Sequence, residues 1–156
     1  MRISDINEGF NSHDIDIIIW DDMSDDYDPS ILSNQAYDIA EESAIGILSN
    51  KELLLVAVDN SYYVHGAVWY AIYDDADYSV FDFDVAVRPT SRSGMIGMRL
   101  IDAAISEYEE LRHAYDNLII KTLVVNPKLI RVLKRKYGFE ILSREHGNSA
   151  YMTFGV

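Results

Sequence analysis

The sequence contains no cysteine, only three prolines and very few cations in its first half. Without cysteine the chain has no disulfide framework, no thiolate nucleophile and no cysteine metal site, and we expect no bound metal. Apolar runs such as residues 17–20 and 53–58 are far shorter than the roughly 18 residues that a membrane span requires. The first residues also lack the basic region and long apolar run of a secretory signal. We therefore expect a cytoplasmic protein without membrane partners.

The length fits a single domain. A chain of 156 residues is close to the usual domain size and long enough to bury a core without cross-links. No repeat, low-complexity run or linker interrupts it. We predict one domain over residues 1–156, with a variable acidic N-terminal region over residues 1–50 and a regular core over residues 53–156.

Charge is divided along the chain. Residues 1–87 contain 19 acidic residues against two cations, a net charge of −17, whereas residues 88–156 contain 11 cations against seven acids, a net charge of +4. The total of −13 argues against nucleic acid as a partner. A basic half suits a polyanionic cofactor and an acidic half suits a cationic amine substrate. The alternative is that the acidic runs at residues 21–28 and 74–77 are solvated loops.

The segment 85–101 predicts a strand, a small basic loop and a helix. Its apolar run stops at a proline, and arginine, serine and glycine follow before helical spacing begins near Met95. The first N–H groups of a helix have no intrahelical partner, and the helix dipole adds about half a positive charge there, so a phosphate group fits. Gly97 is followed by Met-Arg, not by the Lys-Ser/Thr of a Walker loop, and the two glycines do not complete a dinucleotide fingerprint.

A second segment has a similar order of elements. The mostly apolar residues 118–125 predict a buried strand, Asn126 ends it, and Pro127 occupies the first turn of the following helix. Gly138 ends that helix and Phe139 begins another strand. The segment therefore predicts a strand, a helix and a further strand.

Together the two segments resemble the GCN5-related N-acetyltransferase (GNAT) superfamily. Residues 92–97, Arg-Ser-Gly-Met-Ile-Gly, resemble the family's pyrophosphate loop, whose pattern is Arg/Gln-x-x-Gly-x-Gly/Ala. Asn126 and the pair Gly138-Phe139 resemble its second motif, in the same order. The resemblance covers residues 53–156.

The resemblance implies an α/β (α+β) fold with a mixed, mostly antiparallel central sheet of six to seven strands, flanked by helices and splayed between strands 4 and 5. It also implies acetyl-CoA as cosubstrate, bound by the core 53–156. Met95 stands where the family usually has its first glycine, and Gly94 comes one position early, which changes the path of the loop. The cofactor-binding residues that the resemblance implies are Val85, Ala86, Val87, Arg92, Ser93, Gly94, Met95, Ile96, Gly97 and Asn126. In the family, the backbone at the first three of these positions lines the pantetheine arm and polarises the thioester. The alternative is that these three residues are plain sheet core, and both interpretations can hold together.

The strand before the loop also supplies candidate bases. In the run Phe-Asp-Phe-Asp at residues 81–84, alternation places Asp82 and Asp84 on one face. Mutual repulsion between two carboxylates on one face can raise the pKa of one of them toward a value suited to a base. Alternatively, the pair can bind a substrate ammonium group. We predict Asp84, nearer to the segment 85–87, as the base or water-mediated proton acceptor and Asp82 as the second candidate; the alternative is a solvated sheet face. A lone histidine in a strand, here His65, is more often structural than a proton relay.

The leaving thiolate needs a proton. Many family members have a tyrosine four residues before the glycine of the second motif, and that position is Lys134 here. Tyr137 lies three positions further on, about 300° around the helix. Either Lys134 or water protonates the thiolate, or transfer is slow, or the site transfers nothing. Asn126 is expected near the cofactor or an ordered water, or else it is a turn residue.

Two hypotheses of function remain. The first is an acyl-CoA-dependent N-acetyltransferase that transfers an acetyl group to a primary amine of a cationic small molecule or protein by direct attack on the thioester. The second is a catalytically weak or inactive GNAT-fold binding or structural module, similar to the small GNAT-like domains of phages. Exposed strand edges and eleven tyrosines are compatible with a homodimer.

Overall fold

The computed structural model describes residues 14–42 and 50–155, with the backbone alone for residues 92–94. Within the predicted acidic N-terminal region, residues 1–13 and 43–49 lie outside the described residues.

The described chain forms one seven-stranded sheet and three α-helices. The strands are β1 (Asp16–Ile19), β2 (Glu52–Val58), β3 (Val64–Asp75), β4 (Tyr78–Val87), β5 (Leu118–Val124), β6 (Glu140–Arg144) and β7 (Ala150–Phe154). The helices are α1 (Pro29–Glu42), α2 (Ile96–Leu111) and α3 (Pro127–Tyr137). No helix within the described ranges is both long enough and apolar enough to cross a membrane.

The sheet has the strand order β1-β2-β3-β4-β5-β7-β6. β1 with β2, β2 with β3, β5 with β7, and β6 with β7 pair antiparallel, whereas β4 and β5 run parallel. The parallel register joins Ser79–Phe81 to Leu118–Ile120, in the first half of each strand. Further along, the Thr122 hydroxyl donates to the carbonyl oxygen of Phe83 at 2.8 Å. The predicted mixed, mostly antiparallel sheet is confirmed.

The chain divides into two compact units. The first comprises the described residues up to Tyr70 together with Asp84–Ser106. Its core joins the buried face of α1 to residues of β2, β3 and the end of β4, among them Ala36, Val56, Trp69 and Ala86. Asp28 caps the N-terminus of α1, since its Oδ1 accepts a hydrogen bond from the N–H of Ser30 at the second helical position.

The second unit comprises Ala71–Phe83 and residues 107–155. Tyr108 is fully buried there, its ring lies 5.8 Å from that of Phe81, and its hydroxyl donates to the carbonyl of Leu118 at 2.7 Å. Burial raises the pKa of the Tyr108 phenol. Phe139 stacks on Phe154, with 5.1 Å between the ring centroids.

Candidate functional site

The predicted strand, loop and helix are present in the first unit. β4 ends at Val87, a 3-10 turn covers Pro89–Gly94, and α2 begins at Ile96. The predicted helix therefore starts one residue after Met95, and its regular part ends at Leu111. The side chains of residues 92–94 lie outside the described portion of the chain. The loop thus leads into a helix N-terminus, the local geometry that a phosphate site requires.

Met95 has a left-handed backbone conformation at this junction. Its φ is 62° and its ψ is 17°, values that favour glycine, and 67% of the residue is exposed. Met95 is also the residue at which the sequence departs from the family's glycine pattern. The backbone therefore has at this position the conformation that a glycine would adopt without strain.

The first residue before the 3-10 turn, Arg88, is hydrogen-bonded to β3. The N–H of Arg88 donates to the carbonyl of His65 at 2.7 Å, and the Arg88 Nε donates to the carbonyl of Val64 at 3.0 Å. The guanidinium group lies 4.3 Å from the ring centroid of Tyr63, a distance at which the cation attracts the ring face. The N–H of Ser91 then donates to the carbonyl of Arg88 at 2.8 Å. Arg88 thus joins the 3-10 turn to β3, a role that the sequence did not indicate.

Gly66 allows β3 to approach the end of β4 closely. A Cβ atom at Gly66 would lie 2.8 Å from the carbonyl oxygen of Ala86 and 2.8 Å from Cδ1 of Leu100. A Cβ at Gly97, by contrast, would meet only Cγ2 of Val87, at an ordinary 3.6 Å. Gly66 is therefore required for the backbone position of the segment that is predicted to line the pantetheine arm.

The three backbone residues of that segment differ in burial. Ala86 is 5% exposed, while Val85 and Val87 are half-buried. Simple alternation places Ala86 on the same face as the aspartates, which would leave it half-exposed as they are. It is buried because it packs in the core that includes the buried face of α1.

Asp84 forms an ion pair that was not anticipated. The Nζ of Lys51 lies 2.6 Å from Oδ2 of Asp84, and the two side chains are 11% and 25% exposed. Lys51 is one of only two cations among the first 87 residues. That rarity was the one signal that could have identified it, since the pairing depends on how three strands align. The Asp84 carboxylate is therefore placed to hold an ammonium group.

Asp82 belongs to the second unit and is half-buried. Burial is the largest cause that raises the pKa of Tyr73, and the charge of Asp82 is the next. The role of Asp82 as a catalytic base stays a prediction.

Asn126 and Lys134 also lie in the second unit. Asn126 caps α3, because its side chain accepts a hydrogen bond from the N–H of Lys128 at 2.9 Å, and Pro127 follows at the first helical position. This contact accounts for Asn126 as a turn residue. Lys134 is exposed in the last turn of α3, beside Arg135. The proposed roles of Asn126 and Lys134 toward a cofactor stay predictions.

Apolar side chains near the end of β5 are unusually exposed. Leu123 is 40% exposed and Val125, which precedes the Asn126 cap, is 71% exposed. An open depression of about 440 Å³ lies elsewhere in this unit, lined by Asp77, Tyr78 and Tyr115 among others. It lies at the start of β4, whereas the predicted cofactor residues of β4 lie at its end.

No protein-family model matches the sequence. No curated protein matches it significantly.

Solved structures match nearly the whole chain. A GNAT superfamily phosphinothricin acetyltransferase from Sinorhizobium meliloti, in complex with acetyl-CoA, has a TM-score of 0.61 at 14% identity, with coverage of 92% of this chain and 89% of that one. Arabidopsis thaliana NAA60 in complex with acetyl-CoA has a TM-score of 0.61 at 16% identity, with coverage of 91% and 98%.

A third match is Arabidopsis thaliana Naa50 in complex with the bisubstrate analogue CoA-Ac-MVNAL. Its TM-score is 0.55 at 13% identity, with coverage of 90% of this chain and 97% of that one. The fold that the motif resemblance implies is thus confirmed by structures that share little sequence: the chain has the fold of the GNAT superfamily of acetyltransferases.

Proposed function

We propose that the protein is an acyl-CoA-dependent N-acetyltransferase that uses acetyl-CoA as its cosubstrate. The observation that carries the proposal is the junction of β4, the 3-10 turn and α2, where Met95 takes a glycine-like conformation at a position where the family usually has a glycine. The fold supports it, since the Sinorhizobium and NAA60 structures with this fold hold acetyl-CoA.

The loop would hold the negative end of the cosubstrate. The first N–H groups of α2, which have no partner within the helix, and the cation Arg92 would supply positive charge for a pyrophosphate. The backbone of Val85, Ala86 and Val87 would orient the pantetheine arm. Acetyl-CoA supplies a thioester that is already reactive toward an amine. The protein therefore needs mainly to position the reactants and to accept a proton.

Asp84 would bind the acceptor and take its proton. Its carboxylate already engages one ammonium group, that of Lys51, at 2.6 Å. A cationic substrate amine would compete with Lys51 for the same carboxylate. Deprotonation of the amine would then allow direct attack on the thioester, and Lys134 or water would protonate the leaving thiolate. The acidic first half of the chain favours a cationic acceptor, either a small molecule or a protein.

The experiment is an assay of CoA release from acetyl-CoA with a panel of polyamines, small amines and peptides. We expect turnover with at least one cationic amine and little with neutral analogues. Asp84→Asn should lower kcat at least ten-fold while acetyl-CoA binding persists. Asp38→Asn, which removes the same charge from an exposed position on α1, is the matched control and should leave kcat unchanged. Equal kcat in both variants would remove Asp84 from the mechanism.

Lys134 is tested in the same assay. Lys134→Ala should lower kcat without changing acetyl-CoA affinity, whereas Arg135→Ala, which removes the adjacent exposed cation, should change neither. If Lys134→Ala retains full activity, water protonates the thiolate.

A second candidate is a GNAT-fold binding or structural module without significant activity. The exposed lysine at the position where many family members have a tyrosine favours it. This candidate predicts no CoA release with any amine in the panel. A phage-type role, a homodimer and a cytoplasmic location stay predictions.

A further inference from the structure

Three polar side chains form a chain of hydrogen bonds in the first unit. The Nε2 of His65 lies 2.9 Å from Oδ2 of Asp59, and its Nδ1 lies 2.6 Å from the Oγ of Ser91. His65 is 2% exposed and Ser91 is 1% exposed. The three residues come from three separate places in the chain: the end of β2, the start of β3, and the 3-10 turn before α2.

Asp59 lies at one end of this hydrogen-bond network and accepts further hydrogen bonds from the backbone. Its Oδ1 accepts hydrogen bonds from the N–H groups of Ser61 at 2.8 Å and Tyr63 at 3.1 Å, both in the turn between β2 and β3. Burial alone raises the pKa of Asp59, but the hydrogen bonds from His65, Tyr63 and Ser61 together outweigh it and hold the pKa below its ordinary value. Asp59 is therefore an anionic acceptor fixed by the hairpin.

The charge of Asp59 determines the direction of its hydrogen bond with His65. An ionised carboxylate can only accept, so the Nε2 of His65 donates to Asp59. When Nε2 carries the only ring proton, Nδ1 accepts a hydrogen bond from the Ser91 hydroxyl. The network thus joins Ser91, in the turn before α2, to the hairpin through the His65 ring, and the Ser91 side chain is buried.

We propose that Asp59 and His65 are positioning residues that fix Ser91, and through it the loop preceding α2, in the conformation that binds the pyrophosphate of the cosubstrate. The proposal rests on the acyl-CoA site proposed above. Ser91 is the last residue before Arg92, so displacement of its side chain moves the start of the predicted binding loop directly. Its burial excludes a role as a nucleophile toward a bound substrate.

Two substitutions of His65 separate the two ends of the network. An asparagine side chain places its amide near the position of Nδ1 and can still accept from Ser91, whereas a glutamine side chain reaches the position of Nε2 and can still donate to Asp59. His65→Asn should therefore retain acetyl-CoA affinity within about three-fold. His65→Gln and Ser91→Ala should both raise the Kd about ten-fold, which corresponds to ~1.4 kcal/mol.

The experiment is isothermal titration of acetyl-CoA into each full-length variant, with thermal midpoints measured in parallel. Ser143→Ala is the matched control, because it removes an exposed serine hydrogen bond, to Glu145, and should leave the Kd unchanged. We expect the Kd to rise only in the variants that lose the hydrogen bond to Ser91, whatever the change in their thermal midpoints. Ser91→Ala is the smallest change and keeps the test valid if a His65 variant fails to fold.

The outcomes separate the two proposals. If the unmodified protein binds acetyl-CoA and Ser91→Ala binds it equally well, the positioning role is wrong and the proposed function stands. If Kd rises equally in His65→Asn and His65→Gln, in proportion to lost stability, the network is only structural and the positioning role is again wrong. If the unmodified protein does not bind acetyl-CoA, both proposals fail.

Discussion

Replacing Met95 with glycine should stabilise the protein. A left-handed conformation costs a side-chain-bearing residue about 1–2 kcal/mol, and Met95 adopts φ 62°. Glycine offsets some of this gain because it loses more backbone freedom on folding, by about 0.5–1 kcal/mol. Little apolar burial is lost, since Met95 is 67% exposed. The net expectation is a free energy of unfolding that increases by about 0.5–1 kcal/mol.

Urea unfolding measures this change. With an m value of about 2 kcal/mol/M, the midpoint of Met95→Gly should rise by about 0.3–0.5 M at constant m. Ala76→Gly is the matched control: Ala76 has φ 53° in the turn between β3 and β4, far along the chain from the loop, and should give a similar increase. Met98→Gly, inside α2, should instead lower stability by about 1 kcal/mol. A decrease for Met95→Gly like that of Met98→Gly would refute the assigned loop conformation.

Three further predictions concern stability. Gly66→Ala should lower the free energy of unfolding by about 1–3 kcal/mol, because the new Cβ would lie 2.8 Å from the Ala86 carbonyl oxygen and from Leu100. Gly97→Ala is the control and should be neutral or stabilising. Equal shifts of the two variants in a thermal melt would contradict this. Tyr108→Phe should cost about 1–2 kcal/mol in urea unfolding, because it removes the hydrogen bond to the buried carbonyl of Leu118; no loss would show that the hydroxyl contact contributes nothing. Because the pKa of Asp59 is lowered by folding, its contribution is present above the unfolded pKa, about 3.9, and is lost as pH falls through the folded pKa. Melting temperatures of Asp59→Asn should therefore depend less on pH below about 4 than those of the unmodified protein, and parallel pH profiles would refute the assignment.

The sequence predicted the strand, loop and helix around residues 85–101 because local signals specify them. An apolar run, a proline and a change to helical spacing act over a few neighbouring residues. The end of the segment 118–139 was predictable for the same reason, since Asn126 and Gly138 are a helix cap and a left-handed helix end in the structure. The prediction of the fold itself rested on the order of these two motifs, because hydrophobic periodicity alone does not specify it.

The polar contacts of the site could not be predicted in this way. The pair between Lys51 and Asp84 joins residues 33 positions apart, and the bond between His65 and Ser91 spans 26 positions. Both depend on the register of several strands, which the sequence pattern does not specify. Burial of Ala86 likewise depends on a helix covering a sheet face that alternation alone leaves open.

A thermal-shift titration with acetyl-CoA tests the central claim, that this fold binds the cosubstrate through its loop and helix N-terminus. At about 100 times its Kd, the ligand should add roughly 2.7 kcal/mol to the free energy of unfolding, and the melting temperature should rise and then saturate. S-acetylpantetheine, which lacks the pyrophosphate, should give a much smaller shift. An unchanged melting temperature at millimolar acetyl-CoA would contradict the claim, and equal shifts with both ligands would contradict the role of the loop.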